Sequence, residues 1–277
     1  MMTKTSTTLY VEESGAANAT TLVFLHGGGG AGWMWKPQVE ALSQDYHCLV
    51  PDLPGHGRSM DTTFTMVDAA QRVATLITER AHGGKAVVIG LSLGAQVLVQ
   101  LLATAPQTAA RAVISSALVR PMGPGWLYAP SVLRWSYHLG VTPFKSSQWY
   151  TRLNMRSAAG VPDAYFTQFN EDYQRMTADS FAQVIHENSC FRLPTGLDKV
   201  TVPALVVVGK REYGVMKQSA RDLLNVLPNA RGVVVDVGRS TAENHNWNLN
   251  APELFTRLLR AWIADQPLPA ELAPLTA

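Results

Sequence analysis

The stretch VVIGLSLGAQVLVQ, Val87 to Gln100, constrains the fold of this chain more than any other. A β-branched apolar run breaks at Gly90, places Ser92 between small residues, and passes at once into apolar residues at helical spacing. A buried strand gains nothing from a serine at its end, and glycines weaken the start of a helix. The order strand, G-x-S-x-G, helix is that of a sharp turn that holds a serine hydroxyl out above the edge of a sheet, the glycines leaving room for the chain to reverse. Ser92 is therefore the candidate nucleophile.

The surrounding pattern repeats this alternation. The segments TTLYVEES, ATTLVFLHG, HCLVPDLPGHG, KAVVIGLS, RAVISSALV, PALVVVGK and RGVVVDVG are short runs rich in Val, Ile and Leu, as central parallel strands require. Between them MWKPQVEALSQ, MVDAAQRVATLITERA, LGAQVLVQLLATA, QSARDLLNVL and PELFTRLLRAWIADQ carry helical spacing. The expected fold is α/β: a doubly wound, mostly parallel central sheet with helices on both faces and a helical segment inserted after the sixth strand. The insertion is expected at residues 120–193, where β-rich runs stop and aromatic residues crowd, and the core at 1–119 and 194–277. The proline-rich end, DQPLPAELAPLTA, reads as a loose terminus.

Composition narrows the partners. With 23 basic and 21 acidic residues mixed along 277 positions, the net charge of +2 forms no basic stripe, so neither nucleic acid nor a membrane surface is expected. No apolar run reaches membrane-spanning length and no leader-like segment opens the chain. The expected compartment is the cytoplasm, with Cys48 and Cys190 as unpaired small hydrophobes. The histidines form no ligand-like cluster, so neither metal nor organic cofactor is expected.

A serine nucleophile needs a base and a group to orient it. His245, in GRSTAENHNWNLNAPELF, follows the last β-rich run in what reads as a polar loop, where a base could reach the carboxyl edge of the sheet. Glu212, three residues after Gly209 in ALVVVGKREYG, is the candidate acid, with Asp236 in reserve. The order serine, acid, histidine fits this assignment. The run LHGGGGAGW supplies backbone donors for an oxyanion: Gly28 and the Leu93 amide at the helix start, with Gly29 as the alternative to Gly28 and a pocket residue. Trp33, Trp35 and Trp247 are placed by proximity in sequence to line the pocket.

Four matches in chain order make the sequence resemble the α/β-hydrolase superfamily, in its cap-bearing, esterase-like branch. They are HGGGG, DLPGHGRS from Asp52 to Ser59, GLSLGA, and NHNWNLNAPELF. The resemblance implies that Ser92 and His245 are catalytic, that 52–59 is a structural and access loop, and that 120–193 covers the pocket. Many members have Asp in G-x-x-D where this chain has Glu212. A serine at the elbow sets the chain apart from the haloalkane dehalogenases and epoxide hydrolases, which need a carboxylate there. The expected substrate is a small to medium apolar molecule with an ester or related carbonyl bond, cleaved through an acyl-enzyme on Ser92 by a monomer or homodimer. A carbon–carbon bond hydrolase of ring-cleavage products and a slow or non-catalytic binding module are the alternatives on the same fold.

Overall fold

The computed structural model describes residues 9–276. Thr7 and Thr8 of the first β-rich run lie outside them. The strands are β1 (Val11–Ser14), β2 (Thr21–Leu25), β3 (His47–Pro51), β4 (Ala86–Leu91), β5 (Ala109–Ser115), β6 (Ala204–Gly209), β7 (Ala230–Val235) and β8 (Ala273–Pro274). The helices are α1 (Lys36–Leu42), α2 (Met66–Arg80), α3 (Leu93–Thr104), α4 (Pro130–Gly140), α5 (Gln148–Ser157), α6 (Phe166–Arg175), α7 (Ala178–Cys190), α8 (Gly214–Val226), α9 (Thr241–His245), α10 (Trp247–Asn250) and α11 (Pro252–Ile263).

The strands form one sheet in the order β1-β3-β2-β4-β5-β6-β7-β8. All neighbouring pairs are parallel except β1 with β3 and β8 with β7, so only the edges are antiparallel. Successive strand residues point to opposite faces, and both faces are covered. Val23 and Leu25 of β2 belong to one buried cluster with Ala69 of α2, Val97 of α3 and Leu223 of α8. Leu22 and Phe24 belong to the cluster on the other side, with Leu42 of α1 and Phe255 and Trp262 of α11. Every residue of β2, β3, β4 and β6 is buried. That explains why these strands read as continuous apolar runs rather than alternating ones.

The strand order reverses around β2: β3 lies to one side of it and β4 to the other. In a doubly wound sheet the crevice outside the carboxyl ends at such a point is where ligands bind. Here that crevice lies between the loop after β2 and the turn after β4.

Two expectations are corrected. Among the described residues only five strands precede the helical segment, so it leaves the sheet after the fifth, β5, rather than the sixth. The five β-rich runs that precede residue 120 correspond one to one with β1 to β5. The proline-rich end is also not loose: Leu272 is buried, Ala273 and Pro274 pair with Val234 and Val233, and Leu275 donates its N–H to the Gly232 carbonyl. Gly232 permits this approach, because a Cβ there would lie 2.8 Å from the Leu275 carbonyl oxygen. The two cysteines are free, Cys48 buried and Cys190 half-buried. Burial pushes the Cys48 thiol up to about 12, which keeps it an inert neutral thiol. No helix among the described residues is long and apolar enough to cross a membrane.

Candidate active site

Ser92 sits between β4 and α3 with φ 54° and ψ −115°, a region that a side-chain-bearing residue occupies only when its surroundings enforce it. The enforcement is visible on both sides. The Ser92 N–H donates to the Ser115 carbonyl at the end of β5, and the Ser92 carbonyl accepts from Gln96 N–H in the first turn of α3. Both flanking glycines are required by close backbone approach. A Cβ on Gly90 would lie 2.5 Å from the Gly94 carbonyl oxygen, and one on Gly94 would lie 2.2 Å from that of Leu25.

The loop after β2 comes against this turn. The Gly27 position faces the Ser92 Cβ, and the Gly28 position faces the Leu93 side chain and Val184 of α7. Gly29 adopts φ 77°, where a side chain would be strained, with nothing packed against it. The Leu93 amide, at the first position of α3, has no acceptor within the helix, and Gly28 N–H has none among the described residues. The two amides are thus free donors on adjoining segments.

Buried polar contacts hold this loop. His26 donates from Nδ1 to the Gly27 carbonyl (2.8 Å) and accepts at Nε2 from Leu53 N–H (2.9 Å), a pattern that fits the neutral ring. Burial lowers its pKa in the same sense. Asp52 accepts from Gly32 N–H through Oδ1 and from Arg58 N–H through Oδ2, each at 2.8 Å, so one carboxylate pins both the glycine loop and the 52–59 loop.

Glu212 and His245 meet at the same edge, beyond β6 and β7. His245 Nδ1 lies 3.1 Å from Glu212 Oε1, and Nε2 has no partner among the described residues. Glu212 is 4% exposed, which excludes the solvated surface carboxylate that its place between Arg211 and Tyr213 would otherwise suggest. Its Oε1 also accepts from Ser116 Oγ at 2.6 Å, while Oε2 is buried without a partner. Ser116 follows β5 with φ 56° and had no place in the sequence reading. Asp236 is set aside by geometry: its carboxylate is held by Lys210 (2.8 Å) and Arg211 (3.2 Å), which lower its pKa.

His245 lies not in a loop but at the last position of the short helix α9. Ser240 and Glu243 close a reciprocal capping box there. The sequence S-x-x-E was the available signal for this helix.

A cavity of about 210 Å³ opens at Ser92. Its walls are the glycine loop, including Gly28 and Gly29, the 55–57 turn, and apolar side chains of α7 such as Phe181, Val184 and Ile185. The three tryptophans expected to line it do not. Trp35 is fully buried against Phe24 and Phe255 beneath the sheet, and Trp247 is fully buried with its Nε1 donating to Ser115 Oγ. Both side chains turn into the face covered by α11, because a position next to a loop in sequence leaves the side-chain direction open. Trp33 is half-buried, stacks on Tyr165, and donates from Nε1 to Asp172 Oδ2 at 2.7 Å. It reaches the cavity only through Asp172 of α6, which is a wall residue that sequence reading missed.

Comparison with known proteins decides the family. The sequence model of the Alpha/beta hydrolase family matches residues 22–263. The chain belongs to that family. An AB hydrolase superfamily protein of Gibberella zeae is 27% identical over 96% of this chain and 87% of its own length. The RutD protein of Pseudomonas syringae pv. syringae, to which a carbamate hydrolase activity is ascribed, is 27% identical over 91% of this chain and 96% of its own. A thermophilic esterase from Thermogutta terrifontis superposes with a TM-score of 0.71 at 20% identity, over 93% of each chain, and shares the fold. This α/β hydrolase therefore has curated relatives that carry hydrolase names and match nearly its full length.

Proposed function

We propose that the chain is a serine hydrolase of small, mainly apolar substrates with an ester or related carbonyl bond, in which Ser92 is the nucleophile, His245 the general base and Glu212 the acid that orients it. The observation that carries this reading is the pairing of the buried Glu212 with the half-buried His245 (3.1 Å) at the sheet edge that also presents Ser92 in a strained turn. Glu212 holds the imidazole with Nδ1 protonated, leaving Nε2 as the acceptor. His245 takes the Ser92 proton as Oγ attacks the carbonyl carbon, and the oxygen gains charge that the Gly28 and Leu93 amides stabilise. Collapse of the tetrahedral intermediate breaks the bond to the leaving group, which takes the proton from His245. Water then attacks the acyl-enzyme with the same proton transfers and releases the acid. No metal or organic cofactor enters these steps.

The substrate is small because the cavity, about 210 Å³, falls below the usual range of ligand pockets, roughly 300–1,000 Å³. The segment 120–193 acts as the cap, since Phe181, Val184 and Asp172 form the wall facing Ser92. The carbamate activity ascribed to the RutD relative favours a second reading, hydrolysis of a small carbamate by the same machinery. Both readings are tested by following hydrolysis of nitrophenyl esters of increasing acyl length and of nitrophenyl carbamate. The account expects turnover that peaks at short acyl chains, with the faster of acetate and carbamate identifying the natural class. Equal inactivity of the protein and its Ser92→Ala variant on every compound would overturn it.

A further inference from the structure

Among the polar wall groups, which also include Ser92, Ser180, His56 and Asn188, one is a carboxylic acid. Asp172 is 7% exposed, projects from α6, and lines the same cavity as Ser92. Its Oδ2 accepts from Trp33 Nε1 (2.7 Å), which fixes the carboxyl from the far side of the cavity wall. Its Oδ1 has no protein partner among the described residues, yet it is not sealed from solvent as the buried orphan atoms elsewhere are. Among the described residues no lysine or arginine lines the cavity. Its one histidine, His56, is held neutral by burial, which depresses its pKa to about 3. Asp52 lies near enough to oppose charge on Asp172. The cavity thus offers an acceptor that no cationic side chain of its wall neutralises, Arg175 lying outside the wall, so a ligand that brings both a donor and a positive charge is the best match.

We propose that Asp172 anchors the substrate, and that the ligand of this cavity is a small carbonyl compound carrying a nitrogen-borne hydrogen-bond donor, strongest as an ammonium, at the end remote from the bond that is cleaved. The inference rests on the hydrolase reading only for which bond is cleaved; the recognition itself requires no turnover. It also amends the expectation of an apolar substrate: the α7 wall takes the hydrocarbon part and Asp172 takes the polar end.

The ionised form of Asp172 is the one that attracts an ammonium. Burial pushes its carboxyl up to about 6, the Trp33 hydrogen bond works in the opposite direction, Asp52 and Glu171 raise it, and Arg175 lowers it. The other titratable group on the wall, His56 from the 52–59 loop, stays neutral through the same range. Recognition of an ammonium is therefore present above pH 6 and fades as the solution is acidified through it.

The test is calorimetric binding of three amides of similar size to the purified full chain: 3-aminopropanamide, butanamide and succinamate. Amides are slow substrates, so an inactive Ser92 would sink the hydrolase reading and leave this readout standing. The expected order is ammonium over methyl over carboxylate, with about tenfold or more between the first two at pH 7.5. Asp172→Asn, which can still accept from Trp33, brings that ratio to within about twofold. In the unaltered protein the ratio collapses below pH 6, and in Trp33→Phe the midpoint of that collapse moves to higher pH. A ratio near one in the unaltered protein, a ratio that persists in Asp172→Asn, or a ratio insensitive to pH would each overturn the proposal. The pH series uses the unaltered chain, so the test holds even if the Asn variant fails to fold.

Discussion

The sheet and the helical segment between β5 and β6 are both rich in large apolar side chains, but they treat water differently. In β2, β3, β4 and β6 every side chain is buried. In α4 only Leu133 and Tyr137 are buried, and in α5 only Thr151 and Met155, while Trp126, Trp135 and Trp149 stand 66–72% exposed. A central strand has a neighbour on each edge and a helical layer on each face, so an apolar residue there has nowhere else to go. A helix laid on a surface buries one stripe, and its remaining apolar residues stay in water. Aromatic content therefore signals burial in the first setting and not in the second. The same division separates the two sides of the site: Ser92, Glu212 and His245 stand on the rigid edge of the sheet, whereas Asp172 and the apolar wall come from the segment that packs on it.

The sharpest way to break this comparison is to disturb the sheet side. Glu212→Gln leaves the pocket shape alone but sets an amide against His245 Nδ1, which favours the wrong tautomer. Steady-state hydrolysis is expected to fall by up to about 10⁴-fold, with little change in KM. Gly94→Ala places a methyl against the Leu25 carbonyl, where the approach would be 2.2 Å. Because both partners are backbone, urea unfolding is expected to show a loss of about 4 kcal/mol or more, or no folded protein at all.

On the helical side the effects are smaller, and one has the opposite sign. The Asp172 carboxyl is pushed up to about 6 from an ordinary 3.8, so folding favours its protonated form. Its contribution is present below pH 4 and is lost as pH rises through 6. Asp172→Asn is therefore expected to be more stable than the unaltered protein by about 1–3 kcal/mol at pH 7.5. Parallel urea titrations should show the difference closing below pH 4. The smallest effect tests the surface itself: Trp149→Ser, at 72% exposure, should shift stability by less than about 0.5 kcal/mol. A loss of 2 kcal/mol there would mean that exposed aromatics of this segment are covered in solution.

These differences also explain what the sequence could and could not reveal. The elbow was legible because G-x-S-x-G between a strand and a helix is a local pattern, and both glycines have a local cause in backbone contact. The strand runs were legible for the reason given by the sheet's two-sided burial. Glu212 and His245 could be placed at one edge because each follows a β-rich run in sequence, and in a parallel sheet the ends of such runs lie on the same side.

What escaped reading depends on side-chain direction or on long-range contact. Trp35 and Trp247 flank loops of the site yet point into the core under α11. Asp172 is 139 residues from the Trp33 that holds it, and Ser116 is 96 from Glu212. The terminal strand β8 was hidden because two residues pairing through backbone atoms leave no periodic signature.

The most direct test of the central claim is intact-mass analysis after treatment with a fluorophosphonate, which bonds to a serine oxygen only when a base removes its proton. The account predicts one adduct per chain, mapped by peptide analysis to Ser92, absent in Ser92→Ala and formed far more slowly in His245→Gln. No adduct on a folded protein, or equal labelling of His245→Gln, would contradict it.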